Sequence, residues 1–267
     1  MAFTRAEDLA FAHQLADAAD AVTLKRYQAL DLVIDTKPDN TPVTDADKAA
    51  ENVIRVLLAK NRPDDAIVGE EFGNSETKAG ASRYWVIDPI DGTKNFLRGV
   101  PTWATLIGLV EKQTNGDEVV VVGVVSAPAL FRRWHASENN GAFVSTNGGH
   151  PVKISVSKVG QIIDASISYS DFVGWGSRLD KFQNLLSKAW RTRGIGDFWS
   201  HMLVAEGAVD AAIEPSLSLW DMAALDVIVR EAGGRFTNIE GKNGSLGASG
   251  MSTNAALHNL IVEALNG

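Results

Sequence analysis

The chain has 267 residues, with 25 Lys plus Arg against 33 Asp plus Glu and a formal net charge of −8. That acidic balance, with no basic run, excludes non-specific nucleic-acid binding. The absence of cysteine excludes disulfides, thiolate zinc sites and cysteine nucleophiles.

No charged-then-apolar leader occupies residues 1–14, and the longest apolar run, 119–125, is too short for a bilayer and contains Gly123. The expectation is a cytoplasmic protein without a membrane partner. Phe11, Leu15, Ala18 and Val22 share one face of a helix over 4–28, and a short strand follows at 32–34. A breaker-rich loop spans 36–42, and a second helix runs from Thr44, its N-cap, to about 60, with the stripe Ala50, Val53, Ile54, Leu57 and Leu58. A strand at 66–68 ends in Gly69-Glu70-Glu71, and 74–82 is polar and reads as mobile. The run 84–87 reads as a buried strand that delivers Asp88 and Asp91 to its carboxyl end, where Gly92 and Thr93 turn into a helix. Strands are expected at 102–110, 119–126, 131–136 and 142–145, with Asn115-Gly116 as a hairpin turn. The second half alternates: strands at 165–168, 190–195 and 208–213, and helices at 179–186, 197–206 (closed by Gly207) and 219–232. A single domain over 1–267 follows, with subdomains of about 1–151 and 152–267 divided near Pro151.

Several acids do not behave as surface acids. Asp221 heads an apolar stripe with Ala224, Leu225, Ile228 and Ala232, beside Trp220 at a helix start. Burying a lone charge is costly, so either helix capping or a cation compensates it. Asp47 shares a face with Ala50, Ile54 and Leu58, and reads either as a first-turn acid or as a functional one. Glu70, Asp88, Asp91 and Asp221 come from three separate element ends, whereas His13, His135, His150, His201 and His258 lack metal-ligand spacing. An all-oxygen set selects a hard ion, Mg²⁺ or Mn²⁺. Several carboxylates around one point suit two or more ions and in-line attack of water on phosphorus. Thr93 is suited to orient that water and Asp47 to accept its proton.

The segments Val43-Thr44-Asp45-Ala46-Asp47, Gly69-Glu70-Glu71, Asp88-Pro89-Ile90-Asp91-Gly92-Thr93 and Trp220-Asp221 stand in the order of the inositol monophosphatase-like family, which the chain resembles over nearly its whole length. Haloacid-dehalogenase-type phosphatases also carry an Asp-x-Asp-Gly-Thr motif, but here the acids are three apart and far from the N-terminus. The resemblance implies a layered α-β-α-β-α sandwich, a metal-dependent and lithium-sensitive phosphatase, and a homodimer. It implies two or three Mg²⁺ ions, with Mn²⁺ as a substitute. Glu70, Asp88 and the Ile90 carbonyl would hold the first ion, and Asp88, Asp91 and Asp221 the second. Thr93 and Asp47, with Glu70, would activate water, and the Gly92 and Thr93 N–H groups would hold phosphate.

Within that family, Arg193-Gly194-Ile195-Gly196-Asp197-Phe198-Trp199-Ser200, followed by Glu214-Pro215, resembles the histidinol-phosphate phosphatase branch. The substrate-binding set expected is Asp91, Gly92, Thr93, Arg193, Gly194, Gly196, Asp197, Glu214 and Asp221. Asp197 and Glu214 suit an amine and an imidazole, and Phe198 or Trp199 suits the ring face. Asp197 reads equally as a helix N-cap. The expected activity is hydrolysis of L-histidinol phosphate, in histidine biosynthesis. The alternatives are inositol 1-phosphate or another small sugar phosphate, and a catalytically silent metal-binding scaffold. A mere scaffold needs neither Asp47 nor Thr93.

Overall fold

The computed structural model describes residues 3–38, 41–75 and 81–267, so 76–80 of the polar stretch lie outside the described residues. Helix α1 (Arg5–Arg26) opens on a reciprocal cap. Thr4 Oγ1 accepts from the Glu7 N–H while the Glu7 carboxylate accepts from the Thr4 N–H. Its buried face is Phe11, Ala12, Leu15, Ala16 and Ala19; Ala18 and Val22 lie at the margin, half-buried. The first strand is β1 (Ile34–Thr36), paired antiparallel with β2 (Pro42–Thr44). It begins later than the expected 32–34 because Leu32 packs into a small cluster around Phe96 and Trp103. Helix α2 (Asp45–Asn61) buries Ala46, Ala50, Ile54 and Leu58.

The first sheet comprises β3 (Ala66–Gly69), β4 (Gly73–Asn74), β5 (Arg83–Asp91), β6 (Ala104–Lys112), β7 (Glu118–Ala127), β8 (Arg132–Ser137), β9 (Ala142–Thr146) and β10 (Val152–Ile154). Its order is β10-β9-β8-β7-β6-β5-β3-β4, with β3 and β5 parallel. The short helix α3 (Thr93–Leu97) follows β5. The second sheet, in the order β12-β11-β13-β15-β14, contains β11 (Ser166–Tyr169), β12 (Arg191–Gly194), β13 (Ala211–Glu214), β14 (Gly234–Thr237) and β15 (Gly250–Asn254). The remaining helices are α4 (Leu179–Lys188), α5 (Asp197–Ala205), α6 (Leu219–Glu231) and α7 (His258–Asn266). β10, β14, β15 and α7 have no counterpart among the elements expected from sequence.

Alternation along β5 sends Trp85 and Ile87 toward α1 and α2, and Tyr84 and Val86 to the opposite face. That opposite face packs on α5 and α6, which also contact the second sheet. α4 and α7 cover the far side of the second sheet. The layers are therefore α1/α2, sheet, α5/α6, sheet, α4/α7: the expected α-β-α-β-α sandwich. A helix in the middle layer must be apolar on nearly all sides, and α6 buries every residue from Met222 to Val229. It lies close on the first sheet because two strand positions lack a side chain. A Cβ on Gly108 would stand 2.9 Å from Ala223 Cβ, and one on Gly123 would stand 2.5 Å from Val227 Cγ1. Among the described residues, no helix is long and apolar enough to cross a membrane.

Candidate active site

The end of β5 is irregular in a way that gathers acids. The pairing register with β6 shifts between Asp88 and Asp91, a bulge at the proline that cannot donate to the ladder. The free Pro89 carbonyl accepts from Thr105 Oγ1 at 2.8 Å. This break aims both carboxylates at the N-terminus of α6, where Asp221 waits. Asp88, Asp91 and Asp221 offer oxygens that all lie within 4.8 Å of one another. Asp221 also caps its helix, Oδ2 accepting from the Ser218 N–H at 2.7 Å, so the capping reading of this acid is realised. Asp91 Oδ2 accepts from the Phe198 N–H at 2.6 Å, which ties the acid to the start of α5.

Burial pushes the Asp88 carboxyl well above the ordinary range, and Glu70, Asp91 and Asp221 add to it by repulsion. Asp91 is raised by burial and then by Asp197 and Asp221. Asp221 is pushed up to about 7, by burial first, against the Ser218 hydrogen bond. A buried nest of mutually repelling oxygens, with no sulfur or imidazole donor, fits a hard divalent cation. Glu70, at the end of β3, adds its field to these acids, but its carboxylate is 2.7 Å from Lys37 Nζ. The same ammonium is 2.6 Å from Glu71. Lys37 is thereby held above its ordinary range: burial opposes its charge, and the two carboxylates outweigh that opposition.

Asp47 and Thr93 are brought together. Asp47 Oδ2 accepts from the Thr44 N–H (2.8 Å) and hydroxyl (2.6 Å), which leaves Oδ1 for Thr93 Oγ1 at 3.4 Å. Burial pushes Asp47 up to about 6 despite those bonds to Thr44. Thr93 Oγ1 also lies 3.0 Å from the Ile90 carbonyl. Gly92 holds φ at +83°, and a Cβ there would stand 2.9 Å from the Thr102 carbonyl, so only glycine makes this turn.

A cavity of about 430 Å³ runs from Glu70 and Asp221 past Gly92 and Thr93 to Gly196 and Asp197. A smaller one of about 130 Å³ continues to Phe198, His201 and Glu214. The cap of α5 is Gly196 and uses no side chain; Asp197 follows it with φ at +49°. Its carboxylate accepts instead from Asn95 Nδ2 at 3.1 Å, so the capping reading of Asp197 is overturned. Glu214 is 4% exposed, accepts from Ser170 Oγ at 2.7 Å, and is pushed up to about 8, chiefly by burial. Trp199 packs against the central core, and Phe198 rather than Trp199 lines the cavity. Arg193 and Gly194 do not line either cavity. β12 is the edge strand of its sheet, and exposed Arg193 donates to its neighbour's Thr192 carbonyl. Asn95, Ser170 and Lys37 were not foreseen from sequence, since each is an ordinary polar residue until its partner is known.

A sequence model of the inositol monophosphatase family matches residues 4–267. The chain belongs to the inositol monophosphatase family. It is a phosphatase, and its similar relatives include histidinol-phosphatases. It is 54% identical over 263 residues to the histidinol-phosphatase of Mycobacterium tuberculosis, covering 97% of this chain and 98% of that one. It is 53% identical over 262 residues to the histidinol-phosphatase of Streptomyces coelicolor, with 97% of each chain covered. Among solved structures, the extragenic suppressor protein SuhB of Bartonella henselae superposes with a TM-score of 0.85 at 28% identity, over 97% of this phosphatase and 98% of that chain.

Proposed function

We propose that this family member is a Mg²⁺-dependent phosphomonoesterase that hydrolyses L-histidinol phosphate. One observation carries the substrate reading. Two acids, Asp197 and Glu214, line the joined cavities, Asp197 beside Gly92 and Glu214 in the smaller one, and their hydrogen-bond partners are the neutral Asn95 and Ser170. Glu214 is buried and Asp197 half-buried within the field of Lys94, and neither makes an ion pair among the described residues, which favours a cation from outside. Histidinol phosphate brings an amine and a basic imidazole at one end and a phosphate at the other. The identity to two histidinol-phosphatases supports the same choice.

In this reading, Glu70, Asp88 and the Ile90 carbonyl would hold one ion, and Asp88, Asp91 and Asp221 another. Bound Mg²⁺ supplies charge neutralisation for the phosphate and a water of lowered pKa. The chain does the rest. Thr93 Oγ1, fixed between Asp47 and Ile90, orients the attacking water, and Asp47, raised to about 6, takes its proton. The turn at Gly92 lets the backbone come close to the phosphate. Asp197 and Glu214 receive the cationic groups, and Phe198 faces the ring. Homodimer formation, inhibition by lithium, a third ion and a place in histidine biosynthesis are further parts of the proposal, carried by family likeness alone.

The test is phosphate release from histidinol phosphate, inositol 1-phosphate, fructose 1,6-bisphosphate and adenosine bisphosphate, with and without Mg²⁺. The expected result is Mg²⁺-dependent release that is fastest from histidinol phosphate. Faster release from inositol 1-phosphate would reassign the substrate. Release from none of them would leave a silent metal-binding scaffold.

A further inference from the structure

Asp197 is held in an unusual way. It has a side chain yet adopts a left-handed backbone with φ at +49°, directly after Gly196 at +77°. Such strain costs free energy and persists only where the surroundings impose it. It does not serve to cap α5, whose cap makes no side-chain hydrogen bond. What it achieves is to turn the carboxylate toward the helix that carries Thr93. There the Asn95 amide donates one proton to Asp197 Oδ2 (3.1 Å) and the other to the Thr102 carbonyl (3.0 Å). On the other side, the Asp197 N–H donates to Ser170 Oγ (3.4 Å), whose own proton goes to Glu214. Thr102, Asn95, Asp197, Ser170 and Glu214 thus form one hydrogen-bonded chain along the cavity wall.

We propose that Asn95 is a positioning residue for substrate selection: its amide aims the Asp197 carboxylate at the cationic end of the substrate and fixes that acid relative to Thr93, two residues before it. The inference rests on the proposed function for the identity of the cation. The aiming of Asp197 by Asn95 stands apart from it. An amide suits the task because it fixes a carboxylate without adding charge, while the neighbouring Lys94 acts on Asp197 only through its field.

The experiment is a double-mutant cycle of Asn95→Ala and Asp197→Ala, with kcat and KM measured on whichever phosphate of the panel the wild type prefers, and on p-nitrophenyl phosphate, which has no cationic group. Asn95→Ala is expected to raise KM for the preferred cationic substrate about tenfold, with kcat within about twofold. It should leave p-nitrophenyl phosphate nearly unchanged, and add nothing further once Asp197 is Ala. Equal effects in both backgrounds, or a loss of kcat on both substrates, would make Asn95 a brace for the Thr102 turn and overturn the proposal. If the wild type prefers a neutral sugar phosphate and the cycle is still non-additive, the histidinol phosphate reading falls while the positioning role stands.

Discussion

Asp88 is 2% exposed, and its carboxyl is raised by burial and then by the fields of Glu70, Asp91 and Asp221. Its carboxylate accepts from the Ile90 N–H at 3.0 Å. Such a group destabilises the metal-free fold and is needed by the filled one, so activity and stability pull in opposite directions. Asp88→Asn is expected to lower Mg²⁺-dependent phosphate release on the order of 10²–10³-fold or more. In metal-free calorimetry the same variant should melt about 2–4 °C higher, the equivalent of about 1 kcal/mol for a chain of this size. A lower melting temperature would mean that Asp88 supports the fold rather than straining it. At this scale the sequence was informative where a residue broke its local rule. Asp221 at the head of an apolar stripe and Asp88 at a strand end both did so. Asn95, Ser170 and Lys37 break no rule. Their meaning comes from partners 102, 44 and 33 residues away, a distance that no local pattern reports. Arg193 was drawn in by its neighbours in the Gly194-to-Asp197 segment, whereas an edge strand turns it to solvent.

Helix α6 carries Asp221, and its height above the first sheet is set by Gly108 and Gly123. Gly123→Ala places a methyl group 2.5 Å from Val227 Cγ1 and 2.7 Å from the Ala224 carbonyl, backbone that cannot swing away. Overpacking of this kind costs about 1–3 kcal/mol. Part of the response is a lift of α6, which draws Asp221 from Asp88 and Asp91. The concentration of Mg²⁺ giving half-maximal activity should therefore rise several-fold while KM for substrate changes little. An unchanged Mg²⁺ dependence would mean that α6 slides along its axis instead of lifting. Elements with strong local signals were legible: the Thr44 cap of α2, the apolar run of β5 and the turn at Asn115-Gly116, where Gly116 takes φ at +90°. β15 was not legible, because the fully buried Gly-Met-Ser-Thr-Asn has no apolar period. Its polar side chains are satisfied by other elements: Ser252 by His201 at 2.7 Å, Thr253 by His258 at 2.7 Å, and Asn254 by the Val159 carbonyl at 3.0 Å. α7 went unseen for the related reason that its place depends on that sheet.

Over the whole molecule two sets of titrating groups oppose one another. Asp47 (about 6), Glu71 (about 7), Asp221 (about 7) and Glu214 (about 8) are raised by burial above ordinary carboxyl values. The folded state therefore binds protons that the unfolded chain has released, and the metal-free fold loses stability as pH rises from about 4 to about 8. Burial lowers His135, His201 and His258 to about 4. Their contribution is complete above about pH 6.5 and is lost as pH falls toward about 4. Metal-free protein should accordingly melt highest in mildly acidic solution. Mg²⁺ should add more to the melting temperature near pH 8 than near pH 5.5, as scanning fluorimetry at both values would read. Equal gains at the two values would mean that the acids are not the ions' ligands. The middle layer has a related consequence for folding. Neither sheet can cover its inner face without α5 and α6, and Asp221 begins the helix that both share. The two halves are thus bound into one cooperative unit, and any opening of that layer breaks up the acid cluster at once. Unfolding of the ion-loaded protein would therefore release the ion in the same step that breaks the middle layer, so on heating the two signals should coincide.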